Sequence, residues 1–267
     1  MNPRKPSIAL LLAAFTAPTL AEEASGLRSI SIGYEQTAID GGYLRDNYLP
    51  GLKVQAQSVV LGLDYALNAQ WSLTASIPFA KRRAEGFFSH DPSILPAPFN
   101  RAPVLDDGDW HGNWADYRIG LHYLHEYGGW TVSPYVVAHI PSHDYPHFGN
   151  AAIGQNLWKL QLGASVSYLL ENAPLYWTAD ASFLRVEETL GINVDHWIFD
   201  LTFGWLVSDR FALSAFVREK QGNGTSVLTF AARRDERWYQ HDRIQPLEYR
   251  IAGATVEYAL GARDSVS

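Results

Sequence analysis

The sequence predicts an all-β protein: an antiparallel transmembrane β-barrel with about ten strands present and twelve expected in the complete protein. Three observations carry this. Segments of roughly ten residues alternate apolar and polar, the period of a strand. Short and long connections alternate strictly, as in barrels with brief periplasmic turns and long outer loops. Aromatic residues gather beside the short turns, where an amphipathic ring is favoured at a membrane interface.

The alternation is plainest in residues 195–213, DHWIFDLTFGWLVSDRFAL. Trp197, Phe199, Leu201, Phe203, Trp205 and Val207 fall on one face; His196, Ile198, Asp200, Thr202, Gly204 and Leu206 fall on the other. The short turns recur from Tyr65 to Trp71, Tyr123 to Trp130, Tyr168 to Trp177 and Trp205 to Phe211, and a fifth opens at Tyr258. Strands are expected at 28–37, 54–67, 71–80, 114–127, 130–140, 157–170, 175–186, 195–207, 211–221 and 248–260. The long polar connections are then 38–52, 81–113, 141–157, 187–194 and 221–247.

A soluble sandwich or lipocalin-like barrel would also alternate, but its outer face would be rich in Lys and Glu. Here the second face holds Gly62, Gly120, Gln161, Gly163, Ser165, Ser167, Ser182 and Thr202 among scattered charges. Small and mixed-charge side chains suit a confined lumen. Lipid demands a closed sheet, because no water satisfies an open backbone edge. Proline lacks the N–H that such a sheet uses. Pro78 and Pro141 are therefore expected to end pairing, and Pro134, inside its strand, to cause a bulge.

Residues 1–21 read as a secretory signal peptide: Arg4 and Lys5, an apolar run from Ile8 to Phe15, then Thr19-Leu-Ala21. That run is too short to span a bilayer. Cleavage removes two basic and no acidic residues, taking the net charge from −7 to −9. Residues 22–267 form one barrel domain, with no cysteine for disulfides. Ser265-Val-Ser267 reads as the start of an eleventh strand, so the domain is expected to be C-terminally incomplete.

Residues 112–220 resemble a family of Gram-negative outer-membrane proteins named for the meta-pathway of phenol degradation. The likeness rests on Asp116-Tyr-Arg-Ile-Gly-Leu-His-Tyr123, Ile140-Pro-Ser-His-Asp-Tyr145, Ala152-Ile-Gly-Gln-Asn-Leu-Trp-Lys-Leu-Gln-Leu-Gly163 and Asp209-Arg-Phe-Ala-Leu213. The resemblance implies an outer-membrane barrel and passage of hydrophobic or aromatic compounds. It brings no catalytic residues.

By strand parity the lumen should receive Asp64, Asp116, Arg118, His122, Glu126, His139, Lys159, Asp180, His196, Asp200, Arg218 and Lys220. Both signs are present, and enclosed charges must pair or stay wet. The expected function is a barrel in the outer membrane of a Gram-negative bacterium that passes or binds small, hydrophobic or aromatic molecules. The alternative is a filled barrel whose loops act structurally, in adhesion or on lipopolysaccharide. Arg233, Arg234, Arg237 and Arg243 are the lipopolysaccharide-contact candidates, through bidentate guanidinium bonds to phosphate. Expected partners are outer-membrane lipid, lipopolysaccharide and a small-molecule solute; the basic residues are too interrupted for nucleic acid.

No cofactor is expected. His90-Asp91, His143-Asp144 with His147, and His241-Asp242 offer metal-ligand types at loose spacing, as do Asp106, Asp107 and Asp109; both sets read as ordinary polar loops, and no metal site is assigned. Any such site would need convergence of 81–113 with 141–157. Ser89-His90-Asp91 and Ser142-His143-Asp144 hold triad residue types, but neighbouring side chains diverge, so no enzyme is expected.

Overall fold

Strands hydrogen-bonded edge to edge account for most of the chain in the computed structural model, which describes residues 9–12, 25–44, 47–86, 90–208, 211–223 and 235–258. They are β1 (Ala9–Leu12), β2 (Gly26–Leu44), β3 (Asn47–Ala66), β4 (Trp71–Glu85), β5 (His111–Trp114), β6 (Tyr117–Tyr123) and β7 (His125–Tyr127). Then come β8 (Trp130–Ile140), β9 (Lys159–Leu169), β10 (Leu175–Val186), β11 (Asp195–Ser208), β12 (Phe211–Asn223) and β13 (Tyr249–Tyr258). Pairing follows chain order from β2 to β13, with β5, β6 and β7 sharing one lane between β4 and β8. Ten long lanes result, at the ten places expected from alternation.

β1, which lies within the segment read as a signal peptide, bridges the two ends of the sheet, and its removal by cleavage would leave β2 and β13 without this contact. It pairs antiparallel with β2 and parallel with β13, the one parallel contact among the described residues. β2 and β13 run in opposite directions, so a single strand between them must be parallel to one. The expected turn beyond Tyr258 and the eleventh strand at 265–267 lie outside the described residues.

Two expected long loops are shorter. The region 38–52 continues the β2–β3 hairpin, whose register runs to Leu44 opposite Asn47. The β10–β11 connection folds back through a Thr189–Ile192 bridge, with Leu190 and Gly191 at φ 55° and 74°. Two successive positive φ values are what a tight two-residue hairpin turn requires. Polar composition could not distinguish these extensions from loops.

The prolines act on their neighbours rather than on their own strands. Pro141 does follow the end of β8. Pro78, however, sits inside β4, opposite Val60. On its other side the lane breaks between β5 and β6, where Ala115 N donates to the Pro78 carbonyl. From Ser76 to Phe79 is three steps on β4, but from Trp114 to Arg118 is four on the facing lane. That extra residue is a bulge at Ala115–Asp116. Pro134 makes no bulge. Its register with β9 is continuous, and the interruption falls across from it, where Leu124 N turns to the Gln70 carbonyl between β6 and β7. A missing N–H can be accommodated by a local break in the partner without a register shift.

One face of the sheet is apolar and open. Trp197, Phe199, Leu201, Phe203 and Trp205 are each at least 42% exposed, which in a soluble protein would be an extensive unprotected patch. The eight steps from Trp197 to Trp205 cover about 27 Å of strand, or about 20 Å of membrane thickness at the usual tilt. Aromatic rings edge both ends. Trp71 meets Tyr123 at 5.0 Å and Trp130 meets Tyr168 and Trp177 at 4.7 and 5.5 Å beside the short turns. Phe79–Trp114 and Phe183–Trp197 pairs lie toward the long loops. The buried apolar clusters sit at that loop end, not in the barrel centre: Val54, Ala84, Leu105, Ala151 and Ala152 form one, and Leu157, Leu184 and Val186 another. No helix among the described residues is long and apolar enough to cross a membrane.

The two faces predict opposite tolerances. Phe203 is 59% exposed on the apolar face, while Thr202 lines the interior. An arginine on the lipid face of a barrel costs about 2–4 kcal/mol near the midplane. Phe203→Arg should therefore lower the yield of folding into lipid vesicles far more than Thr202→Arg; equal losses would show that the faces are assigned wrongly.

Candidate functional site

The interior face builds a cavity of about 510 Å³, within the range of small-molecule sites. Alternation brings Thr74, Ser76, Arg118, His122, Tyr135, His139, Gln161, Ser165, Asp180, Asp200, Thr202 and Arg218 to its wall from seven neighbouring strands. Six of the twelve residues expected in the lumen are among them: Arg118, His122, His139, Asp180, Asp200 and Arg218.

Many of their polar groups are engaged with one another. Arg218 Nε donates to Asp200 Oδ1 at 2.6 Å across the β11–β12 ladder. Tyr135 OH donates to Asp180 Oδ1 at 2.9 Å. His139 Nε2 meets Gln161 Oε1 at 3.1 Å, and the Gln161 amide donates to Ser182 at 2.8 Å. His122 Nε2 meets Thr74 Oγ1 at 3.1 Å. Lys159 and Asp116 form a mostly buried pair at 3.2 Å. The Asp116 side chain, re-aimed by the bulge, also accepts from Tyr145 OH of the loop above.

The other four are dispersed. Asp64 lies toward the short turns, its Oδ1 buried without a hydrogen-bond partner among the described residues. Glu126 is exposed in β7 at the same end. His196 is 1% exposed, and its Nε2 accepts from Leu247 N of the last loop. Lys220 lies on β12, opposite Ile198 and Tyr249.

Glycines on the inner face make room for aromatic rings. A Cβ on Gly204 would lie 2.0 Å from the Tyr176 ring, and one on Gly163 would lie 2.5 Å from Tyr135. Tyr135 and Tyr176 were not legible as lumen residues, since aromatic side chains on these strands otherwise mark the lipid face. The facing glycines were the available signal.

Three loops cover the long-loop end. Asp106, 8% exposed, accepts from His90 N and Nδ1, Asn150 Nδ2 and Ala151 N at 2.7–3.0 Å. Burial disfavours its charge, but these donors hold its pKa below the usual carboxylate value. Asp106 is thus a hub of N–H donors, while Asp107 accepts from His111 and Asp109 N. The three aspartates do not share one cation site.

Two of the three His-Asp dipeptides separate. Asp91 caps a short helical turn, accepting from Ser93 N. Asp144 accepts from Asn156. Ser142 donates its hydroxyl hydrogen to the Trp114 carbonyl, so His143 Nδ1, at 2.8 Å, can only donate to it, the reverse of a general base. Ser89 lies outside the described residues. No triad forms among the described residues.

His90 instead meets His241, at 3.0 Å between Nε2 atoms. The loop convergence is therefore of 90–110 with the segment containing α1 (Glu236–Tyr239) and α2 (His241–Ile244), rather than with 141–157 alone. Burial opposes charge on both rings. His90 is nevertheless raised above the usual histidine range by Asp106 and Asp242, whereas His241 is pushed below it.

The arginine candidates divide likewise. Arg243 donates to the Gln155 and Asn156 carbonyls at 2.8 and 2.9 Å, fastening this segment to loop 141–158. Arg237 is exposed. Arg233 and Arg234 lie outside the described residues.

A curled antiparallel sheet with an apolar exterior, aromatic edges and a polar interior defines a β-barrel of the membrane-spanning type. The chain belongs to the family described as "Putative MetA-pathway of phenol degradation", whose profile matches residues 41–239. Among solved structures it is similar to an outer membrane channel from Pseudomonas putida F1, with 15% identity and a TM-score of 0.56 over 77% of this chain and 74% of that one. At that identity the likeness is one of fold. No curated protein matches.

Gly204 should be intolerant of a side chain. Overpacking of this kind costs about 1–3 kcal/mol, so Gly204→Ala should lower resistance to urea unfolding in vesicles. Gly204→Ala combined with Tyr176→Ala should be no less stable than Tyr176→Ala alone. Additive losses would mean that the ring does not occupy the glycine's space.

Proposed function

We propose that this protein is an outer-membrane channel for small molecules, with phenol-like aromatic compounds as the solute class. The observation that carries this reading is the interior cavity, polar around its wall, on the opposite face of the sheet from the apolar exterior. Its volume of about 510 Å³ exceeds that of a single aromatic ring with a hydroxyl. Tyr135 and Thr202 offer hydroxyl groups, and neutral Gln161 and Ser165 lie on the same wall. The wall carries charges of both signs, with Asp200 paired to Arg218 and Asp180 accepting from Tyr135, and this favours neutral polar solutes over ions, because an ion would have to break those contacts. The family description and the channel of similar fold support the same reading. Outer-membrane localisation in a Gram-negative cell follows from it.

The test is solute uptake into vesicles carrying the purified protein. Wild type should admit phenol-sized aromatic solutes faster than protein-free vesicles, corrected for direct permeation through lipid. Ser165→Trp should cut that excess by at least tenfold while the barrel still folds, because a residue on the cavity wall gains a bulky ring. Unchanged flux in a folded Ser165→Trp protein, or no excess flux in wild type, would refute passage by this route.

A further inference from the structure

His90 and His241 face each other through Nε2 atoms 3.0 Å apart, although 151 positions separate them in the chain. What the other ring nitrogens touch fixes their hydrogens. His90 Nδ1 lies 2.7 Å from Asp106 Oδ2. That carboxylate is already surrounded by N–H donors and has no hydrogen of its own to give, so His90 Nδ1 is the donor. His241 Nδ1 lies 2.6 Å from the Trp238 carbonyl oxygen, which can only accept. When both rings are neutral, they turn bare Nε2 lone pairs toward each other.

Two lone pairs cannot hydrogen-bond to one another. The pair is also shielded from water, since His90 is 7% and His241 5% exposed. Something positive belongs between them. Asp242 supplies a third donor atom, with Oδ1 3.2 Å from His241 Nε2. One ligand atom from each of the three residues lies within 4.8 Å of the others.

We propose that His90 Nε2, His241 Nε2 and an Asp242 carboxylate oxygen bind a transition-metal dication of the zinc type, clipping loop 90–110 to the α1–α2 segment. Two nitrogens on a tetrahedral zinc ion, each about 2.05 Å from it, lie about 3.3 Å apart. The observed separation needs to open by only a few tenths of an ångström. Imidazole and carboxylate donors without thiolate suit zinc, nickel or copper(II), not calcium or magnesium. Three protein ligands leave a fourth position for water.

The surroundings match those of metal-bound histidines, whose second N–H is held by a carboxylate or a backbone carbonyl. Asp106 does this for His90 and Trp238 for His241. The Trp238 ring lies parallel to His241, with centroids 4.3 Å apart and planes within 4°, and Phe148 meets both histidines edge-on. The rings are thus held in place before any ion arrives.

The experiment is metal binding to tag-free full-length protein, refolded into detergent from metal-free denaturant. Zinc content is read by plasma mass spectrometry, affinity by competition with a chromophoric chelator, and ligand geometry by cobalt(II) absorption. Wild type should take up one zinc ion per chain and give the intense d–d bands of a four-coordinate cobalt site. His90→Gln and His241→Gln should abolish stoichiometric binding. Asp106→Asn, which touches no metal in this scheme, should weaken it about 10–100-fold. Asp107→Asn, outside the cluster, should leave it unchanged. Heat-modifiable gel mobility verifies that each barrel is folded. If the histidine variants do not fold, the wild-type stoichiometry and cobalt spectrum, with Asp242→Asn, decide the matter. Wild-type protein that binds no stoichiometric zinc overturns the proposal and leaves a bridging proton between the rings. So does undiminished binding in the folded histidine variants, or in Asp242→Asn where those do not fold.

Discussion

Every backbone N–H and C=O within the hydrocarbon layer must find a partner in the protein, because lipid offers none. The rest of this structure answers to that demand. It forces the sheet to curl and close, fixes a strict in–out alternation on each lane, and leaves irregular backbone only toward the ends. The ladders between β9 and β12 run ten or more consecutive residues without a central break. Where the chain carries proline, the compensating breaks appear in the lane of β5, β6 and β7. The broken ends are still tied: Ala115 N to Pro78 O, and Leu124 N to Gln70 O.

That accommodation has a consequence for the interior. The extra residue opposite Pro78 places Asp116 where no regular strand would, reaching both Lys159 of β9 and Tyr145 of the covering loop. Tyr145 is 1% exposed, and its hydroxyl accepts in turn from Asn156 N. Burial and the neighbouring Asp116 carboxylate hold its pKa far above the usual phenol value, so it stays a neutral donor. A backbone constraint set by lipid is thereby converted into an anchoring point at the barrel mouth.

Much of this was legible in the sequence, and the boundary of legibility is physical. Period two over many residues is a local signal, so all ten long lanes and both faces of residues 195–207 could be read directly. Parity led to six of the twelve expected lumen residues on the cavity wall. Their partners could not be read this way, because Arg218–Asp200 or Tyr135–Asp180 depends on which lanes are adjacent and in what register. The loops were least legible. The 38–52 stretch is polar yet continues a hairpin, and His90 was read beside Asp91 although its true neighbours are Asp106 and His241. Contacts across many residues have no periodic trace.

The covering loops are fastened to the wall in a way that separates their stability from the lumen's. Arg82 of β4 donates to the Ala152 carbonyl, His196 of β11 receives Leu247 N, and Asp195 of β11 holds Arg185 and Val186 N of β10. Arg243 joins the two loops by backbone carbonyls, which no side-chain substitution on loop 141–158 removes. The cap thus rests on strand ends and on its own buried apolar cluster. The cavity wall below it is held by a different set: Asp200 with Arg218, Asp180 with Tyr135, Gln161 with His139. Asp116, paired with Lys159 of β9, meets the cap through Tyr145. A barrel divided this way can change its loops without disturbing the pairs that line its interior, and can alter those pairs without loosening the cap.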